Sequence, residues 1–213
     1  LEIIGAATND TVAAYKRRGY VFASGNLAFA NGFQGAMDLQ FISDNAYFLD
    51  HGISESERLE SFLRLDKTTR HSYFGAEIRG FRSLRPTLTS DKIPYMLSNV
   101  QYTHRVQSDV LGGQLTWRLD TGTLTRKSTI DHDGRDVFRM SAQADWRRDW
   151  IAQNGLVFST IAELHGDRYQ ILQDSTYPAP IYRLTPITAV ELRWPLAKTN
   201  ADVTQVIEPM MQL

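Results

Sequence analysis

Residues 33 to 50 read FQGAMDLQFISDNAYFLD. Every second residue gives Phe33, Gly35, Met37, Leu39 and Phe41; between them lie Gln34, Ala36, Asp38, Gln40 and Ile42. A helix would gather Phe33, Ala36, Met37, Gln40, Phe41 and Asp44 on one side, a mixed face. The period is two, so the stretch is a strand with one apolar and one mostly polar face. The fold turns on which face meets water.

The same alternation runs along the chain. Leu59, Leu63 and Leu65 oppose Arg58, Glu60, Arg64 and Asp66. Phe74, Ala76 and Ile78 oppose Glu77 and Arg79, and Leu115, Trp117 and Leu119 oppose Gln114, Thr116, Arg118 and Asp120. Phe138, Met140, Ala142, Ala144 and Trp146 oppose Arg139, Ser141, Gln143, Asp145 and Arg147. Further on, Phe158, Ala162 and Leu164 oppose Ser159, Glu163, His165 and Asp167; Leu184, Val190, Leu192 and Trp194 oppose Arg183, Thr185, Glu191 and Arg193. Turn signals such as Asn31-Gly32, His51-Gly52, Asp133-Gly134 and Asn154-Gly155 separate these segments. The pattern predicts about ten antiparallel strands in one domain and no helix. Pro186 and Pro195 each lack a ladder donor, which predicts a bulge or strand ends there.

The chain has 213 residues, a formal net charge of -1 and no cysteine. Balanced charge argues against a nucleic-acid partner. Without cysteine there is no disulfide scaffold and no thiolate metal site. No apolar run approaches the roughly 20 residues of a membrane helix, so a membrane reading survives only as a β-barrel. The chain opens on LEIIGAATND and closes on IEPMMQL, which reads as an internal stretch of a longer protein.

A β-sandwich strand also alternates, so the polar face has to decide. It is rich in Arg, Asp, Glu and Gln and poor in Lys, and Arg–carboxylate pairs suit a confined wet space. The apolar rows span about ten residues without a charge. That length crosses a hydrocarbon band about 25 Å tall, where a midplane charge costs on the order of 2–4 kcal/mol. Tyr20, Trp146, Trp150, Tyr169, Tyr182 and Trp194 near strand ends suit interfacial girdles. The expected fold is all-β: an antiparallel up-and-down transmembrane β-barrel, present as a fragment. Arg64, Arg79, Arg118, Arg139, Arg147, Arg183 and Arg193 then line the lumen, meeting phosphates or a partner, or pairing with Glu60, Glu77, Asp120, Asp145 and Glu191. Pattern alone leaves open a general porin-like channel and a soluble β-sheet glycan-binding protein.

Several short motifs carry a resemblance. LQFISDNAYFLDHG, with Ser43, Asp44, Tyr47, Phe48 and Asp50, resembles a segment of the LPS-assembly family LptD, also called organic solvent tolerance protein. SYFGAEIRGFRSL, KIPYMLSNVQYTH (Pro94, Tyr102) and GGQLTWRLDTGTLTR (Gly112, Gly113, Leu115, Leu124, Arg126) follow in the family's order. So do ELHGDRYQI, with Gly166, Asp167 and Tyr169, and the Arg193, Pro195, Glu208, Pro209 set. Ser98 stands where the family commonly has a second proline. The resemblance implies that residues 1–213 are part of one very large outer-membrane barrel, with the periplasmic jelly-roll domain and the barrel ends not included. It implies lipopolysaccharide (LPS) as cargo, a lipoprotein plugging the lumen, a periplasmic LPS-transport bridge, and outer-membrane lipid around the wall. No cofactor and no covalent chemistry are implied, and the protein is a transport component rather than an enzyme.

Other chemistry is weaker. Asp131-His132-Asp133-Gly134-Arg135-Asp136 hints at a calcium loop, but Arg135 and Ala142 fall where carboxylates belong, so a polar hairpin tip is the better reading. Glu163, His165 and Asp167 share a face and suggest acid/base or metal chemistry, yet they also suit a polar wall. Ser43-Asp44 lacks a nucleophile elbow and reads as a backbone-bonding strand exit.

Overall fold

The computed structural model describes residues 1–9, 17–53, 57–85 and 93–213. Strands run in sequence: β1 (Glu2–Asn9), β2 (Arg17–Ala28), β3 (Gln34–Ile42), β4 (Arg58–Thr68), β5 (Ser72–Ser83), β6 (Met96–Arg105), β7 (Gln114–Thr125), β8 (Asp136–Ile151), β9 (Val157–Leu172), β10 (Ile181–Arg193), β11 (Leu196–Thr199), β12 (Thr204–Ile207) and β13 (Met210–Gln212). One helical turn, α1 (Tyr47–Asp50), interrupts them. Eleven strands form a single antiparallel sheet in the order β1 to β10, then β13; β11 and β12 pair with each other. Every pair from β1 to β10 joins sequence neighbours, the up-and-down topology that alternation predicts, and β13 pairs with β10 across the β11–β12 hairpin. The sheet is open, with β1 and β13 at its edges.

The count of thirteen falls to eleven, close to the expected ten, once the broken last hairpin is rejoined. β10 pairs with β13 through Arg193↔Met210, and β11 with β12 through Leu196↔Ile207. The two ladders share one register, interrupted only where Pro195 and Pro209 withhold donors. Pro195 therefore ends a strand as expected. Pro186 does not: it sits inside β10 opposite Leu164. The Val190 amide bonds Leu213 on the β13 side, so the Pro186 nitrogen, four residues earlier, also points away from β9. No bond of the β9–β10 ladder is lost there, as proline at a strand edge requires.

Directly opposed residues share a face, so the register sorts every side chain. Met37, Leu39, Leu63, Ile78, Trp117, Leu119, Ala142, Phe158 and Leu184 lie on one face, and Asp38, Arg64, Glu77, Arg118, Gln143, Glu163 and Arg183 on the other. Among the described residues, contacts of any extent run only between laddered neighbours, and no second layer of them covers the apolar face. Leu63 is 49% exposed, Ile78 51% and Leu184 69%. Among the described residues the buried apolar side chains are few: Ile42, Tyr47, Phe48, Leu59, Leu84 and Val157. Burying a leucine stabilises a soluble fold by about 1.5–3 kcal/mol, and this sheet leaves most of that term to whatever surrounds it. Tyr20 and Tyr169, expected in the girdle, lie on the polar face instead, because they share rows with Ile42 and Arg139. Trp146, Trp150 and Tyr182 do lie on the apolar face.

The strands are joined at one end of the sheet by residues 29–33, 69–71, 106–113 and 152–156; described residues at the other end include 43–53, 126–135 and 173–180.

Candidate functional site

The polar face is the candidate site, and all seven predicted arginines stand on it. Arg79 bonds Glu77 at 2.7 Å and also reaches Glu60. Arg147 donates to Asp149 at 2.9 Å, Glu191 at 2.7 Å and the fully buried Ser159 at 2.9 Å. Arg193 meets Glu191 at 2.9 Å and Glu208 at 3.2 Å. Arg139 donates to Ser141 at 2.8 Å and lies 3.4 Å from Asp167; Arg64 lies 3.8 Å from Asp66. Arg118 and Arg183 differ. They donate to Thr103 and Gln143, and to Thr185, with no carboxylate within 4.0 Å among the described residues. Asp120 and Asp145, expected to pair with arginine, take the Asn99 and Gln143 amides at 3.0 and 2.7 Å. The exposed pairs among these, such as Arg64–Asp66, contribute roughly 0–1 kcal/mol each. Together they neutralise the wall and keep it hydrated.

Glu163, His165 and Asp167 share this face, as their spacing predicts. Ligand atoms of Asp145, Glu163 and His165 lie within 4.8 Å of one another. Each already has a neighbour: His165 is 3.3 Å from Glu163, Asp145 accepts from Gln143, and Asp167 accepts from Ser141 at 2.5 Å. The row reads as wall rather than as a catalytic centre. The Asp131 loop is likewise engaged. Asp131 accepts from Ser175 at 2.6 Å, and Arg135 pairs with Asp174 at 2.6 Å, tying the β7–β8 loop to the β9–β10 loop. The Ser175 hydroxyl and amide hold the Asp131 carboxyl below its usual pKa.

Ser43, Asp44, Tyr47 and Asp50 converge on a residue that the sequence reading passed over, Arg18. Its Nε and Nη2 donate to the two Asp44 oxygens at 2.8 and 2.7 Å, and Nη2 also donates to Asp50 at 2.8 Å. The guanidinium lies 5.4 Å from the Tyr47 ring centre. Ser43 accepts from the Gly19 amide and donates to Asp44, while Asp44 accepts from the Ala46 amide and starts the helical turn. The Arg18 hydrogen bonds hold the Asp44 pKa down to about 2. Phe48 packs edge-on against Tyr20 and Phe22, both on the polar face of β2. Residues 43–50 therefore fold over that face. Below it the β3–β4 ladder runs only from Gln34↔Asp66 to Asp38↔Phe62, and Ser61 bridges to Gln40 beyond.

The remaining motif residues also sit at joints. Arg193 and Glu208 clamp the base of the proline-broken hairpin. The Trp194 indole donates to Asn154 O at 3.1 Å. Tyr169 lies under Arg139, 5.7 Å from the guanidinium carbon. At Gly113 a Cβ would meet the Trp146 indole at 2.6 Å, so only glycine lets that ring reach Val110 O.

No curated protein sequence matches the chain. The family model described as LptD, LPS transport system D, matches residues 16–213. A bare apolar face, a charged opposite face, strictly sequential antiparallel strands and this match agree, and the chain belongs to the LptD family of outer-membrane LPS-transport and assembly components.

Proposed function

We propose that this chain is a stretch of barrel wall whose charged face lines a wet passage for the LPS glycan while the acyl chains travel along hydrocarbon. The same reading has the lumen occupied by a plugging lipoprotein, cargo delivered by a periplasmic bridge, and no covalent chemistry on the cargo. The observation that carries it is the segregation of the faces: seven arginines on one side, and bare Leu63, Ile78 and Leu184 on the other. A polar lumen passes a hydrated anionic glycan, and Arg118 and Arg183, without carboxylate partners among the described residues, are its best-placed phosphate contacts. The test uses the full-length protein in cells. Replacing Arg118 and Arg183 together with Gln should lower LPS arrival at the cell surface several-fold at unchanged protein level. Unchanged arrival removes these two residues from the passage.

A further inference from the structure

Within β7 to β10 the apolar face carries charge only toward strand ends. The register places Asp136 opposite Leu172, Arg168 opposite Met140 and Arg148 opposite Thr160. Between the Met140 level and Arg148 lie Ala142, Ala144 and Trp146. That stretch rises about 27 Å along the strand, or about 21 Å once the strand is tilted, close to the height of a hydrocarbon band. Two of the three charges have polar neighbours on the protein. Asp136 accepts from the Arg126 amide at 2.6 Å, and Arg168 donates to Gln170 at 3.1 Å.

Arg148 is held by a turn. Val110 and Gly113 exchange backbone bonds at 2.8 and 3.0 Å. The carbonyls they expose fix two side chains of β8: Val110 O takes the Trp146 indole at 2.7 Å, and Leu111 O takes Arg148 Nη1 at 2.9 Å. A Cβ at Gly112 would lie 2.7 Å from the Arg148 guanidinium carbon, so the glycine lets the turn press against that group. Trp150 supports it, with its ring centre 4.7 Å away. No carboxylate lies within 4.0 Å among the described residues, and the remaining N–H groups have no protein acceptor there. Leu111 projects from the turn, 82% exposed. Lys67 repeats the arrangement at the same end of the sheet. It lies on the apolar face opposite Phe74, 4.9 Å from the Phe33 ring centre, again without a carboxylate among the described residues.

A cation at the edge of hydrocarbon needs an anion or water, and an oriented guanidinium fork fits a phosphate. Turns as short as 69–71 and 152–156 belong on the periplasmic side of outer-membrane barrels. The cargo is bound for the opposite leaflet, so the phosphate at this end is that of a membrane phospholipid. We propose that Arg148, Trp150 and the Val110–Gly113 turn form a seat for the phosphate of a glycerophospholipid in the periplasmic leaflet, with Leu111 among its acyl chains. The proposal rests on the apolar face meeting lipid and adds a headgroup site on the outside of the wall.

The test uses the full-length protein in cells. A photo-crosslinking phenylalanine analogue replaces Leu111 in one variant and Gln143, on the polar face, in another. Adducts are identified by intact mass. The Leu111 position should gain the mass of one diacyl glycerophospholipid, and the Gln143 position should not. Adding Arg148→Gln should lower that adduct at least threefold, while the barrel keeps its heat-modifiable migration. Arg148→Lys keeps a cation and should retain at least half. A Leu111 adduct with LPS or with protein, no Leu111 adduct, or a phospholipid adduct that Arg148→Gln leaves unchanged overturns the seat. If Gln143 takes the phospholipid and Leu111 does not, the two faces are inverted and the passage reading above fails with it.

Discussion

Arg18 Nη2 lies 2.7 Å from Asp44 Oδ1, bridging β2 to the start of the only helical turn among the described residues. The Arg18 side chain is 4% exposed and that of Asp44 18%. Deleting the arginine strands two carboxylates beside a small aromatic cluster, and breaking a pair this enclosed costs about 3 kcal/mol. Arg18→Ala should destabilise the folded barrel by about that much, read from unfolding in detergent. Arg18→Lys loses the fork geometry and should lose about half. A cysteine at Phe48 should become reactive to aqueous reagents in the Arg18→Ala background. Unchanged stability and an unreactive cysteine would show that the clamp holds nothing.

Acid should open the same clamp. Asp44 titrates at about 2 when folded, against 3.8 for the free side chain. Its folded pKa is depressed, so the contribution is fully present above about pH 4 and is lost as pH falls through 2. The shift corresponds to about 2 kcal/mol, less whatever water at the sheet end screens. Unfolding midpoints should be flat from pH 8 to 5 as far as this group is concerned, then fall. Asp44→Asn should remove that fall. A wild-type fall that persists in Asp44→Asn locates the acid sensitivity elsewhere.

The rows of this wall are legible in the sequence because a strand encodes its two faces in its own letters. All seven arginines land on the face that alternation assigns. What the period does not encode is pairing at distance. Arg18 and Asp44 are 26 residues apart and meet only because β2 and β3 close a hairpin. The available clue was that Arg18 shares parity with Tyr20, on the face opposite Val21 and Ala23. Alternation does not place Tyr20, because GYVFAS is apolar on both faces at that end. Pro186 looked like a breaker because the direction in which its nitrogen points depends on which neighbour is missing.

Glu191 should be the most sensitive single acid on the wall. Its Oε1 accepts from Arg147 at 2.7 Å and lies 2.9 Å from Arg193 Nε, above a fully buried Ser159. Glu191→Ala leaves two arginines to share Asp149 and Glu208, and should cost about 2 kcal/mol. Glu191→Gln keeps one acceptor and should cost less. Arg183→Gln, at a residue with no carboxylate within 4.0 Å among the described residues, should change stability by under about 0.5 kcal/mol. Equal effects of Glu191→Ala and Arg183→Gln would mean that the ion-pair network does not support the wall.

The assignment of the two faces can be decided with one residue type placed twice. Leu119 and Gln143 lie on adjacent strands and opposite faces: Leu119 pairs with Ala142, and Gln143 follows it. Both are near the middle of their strands, so position along the membrane normal is nearly matched. An arginine at Leu119 meets hydrocarbon and should destabilise the inserted barrel by about 2–4 kcal/mol. An arginine at Gln143 joins Arg118 and Asp145 on the polar face and should cost under about 1 kcal/mol. Refolding of the full-length protein into bilayers, titrated with denaturant, measures both. Cysteines at the same positions give an independent readout, with Leu119 labelled from the lipid phase and Gln143 by a charged aqueous reagent. If Leu119→Arg is tolerated and Gln143→Arg is not, the polar face looks outward, and the passage has to be sought on the other side of the sheet.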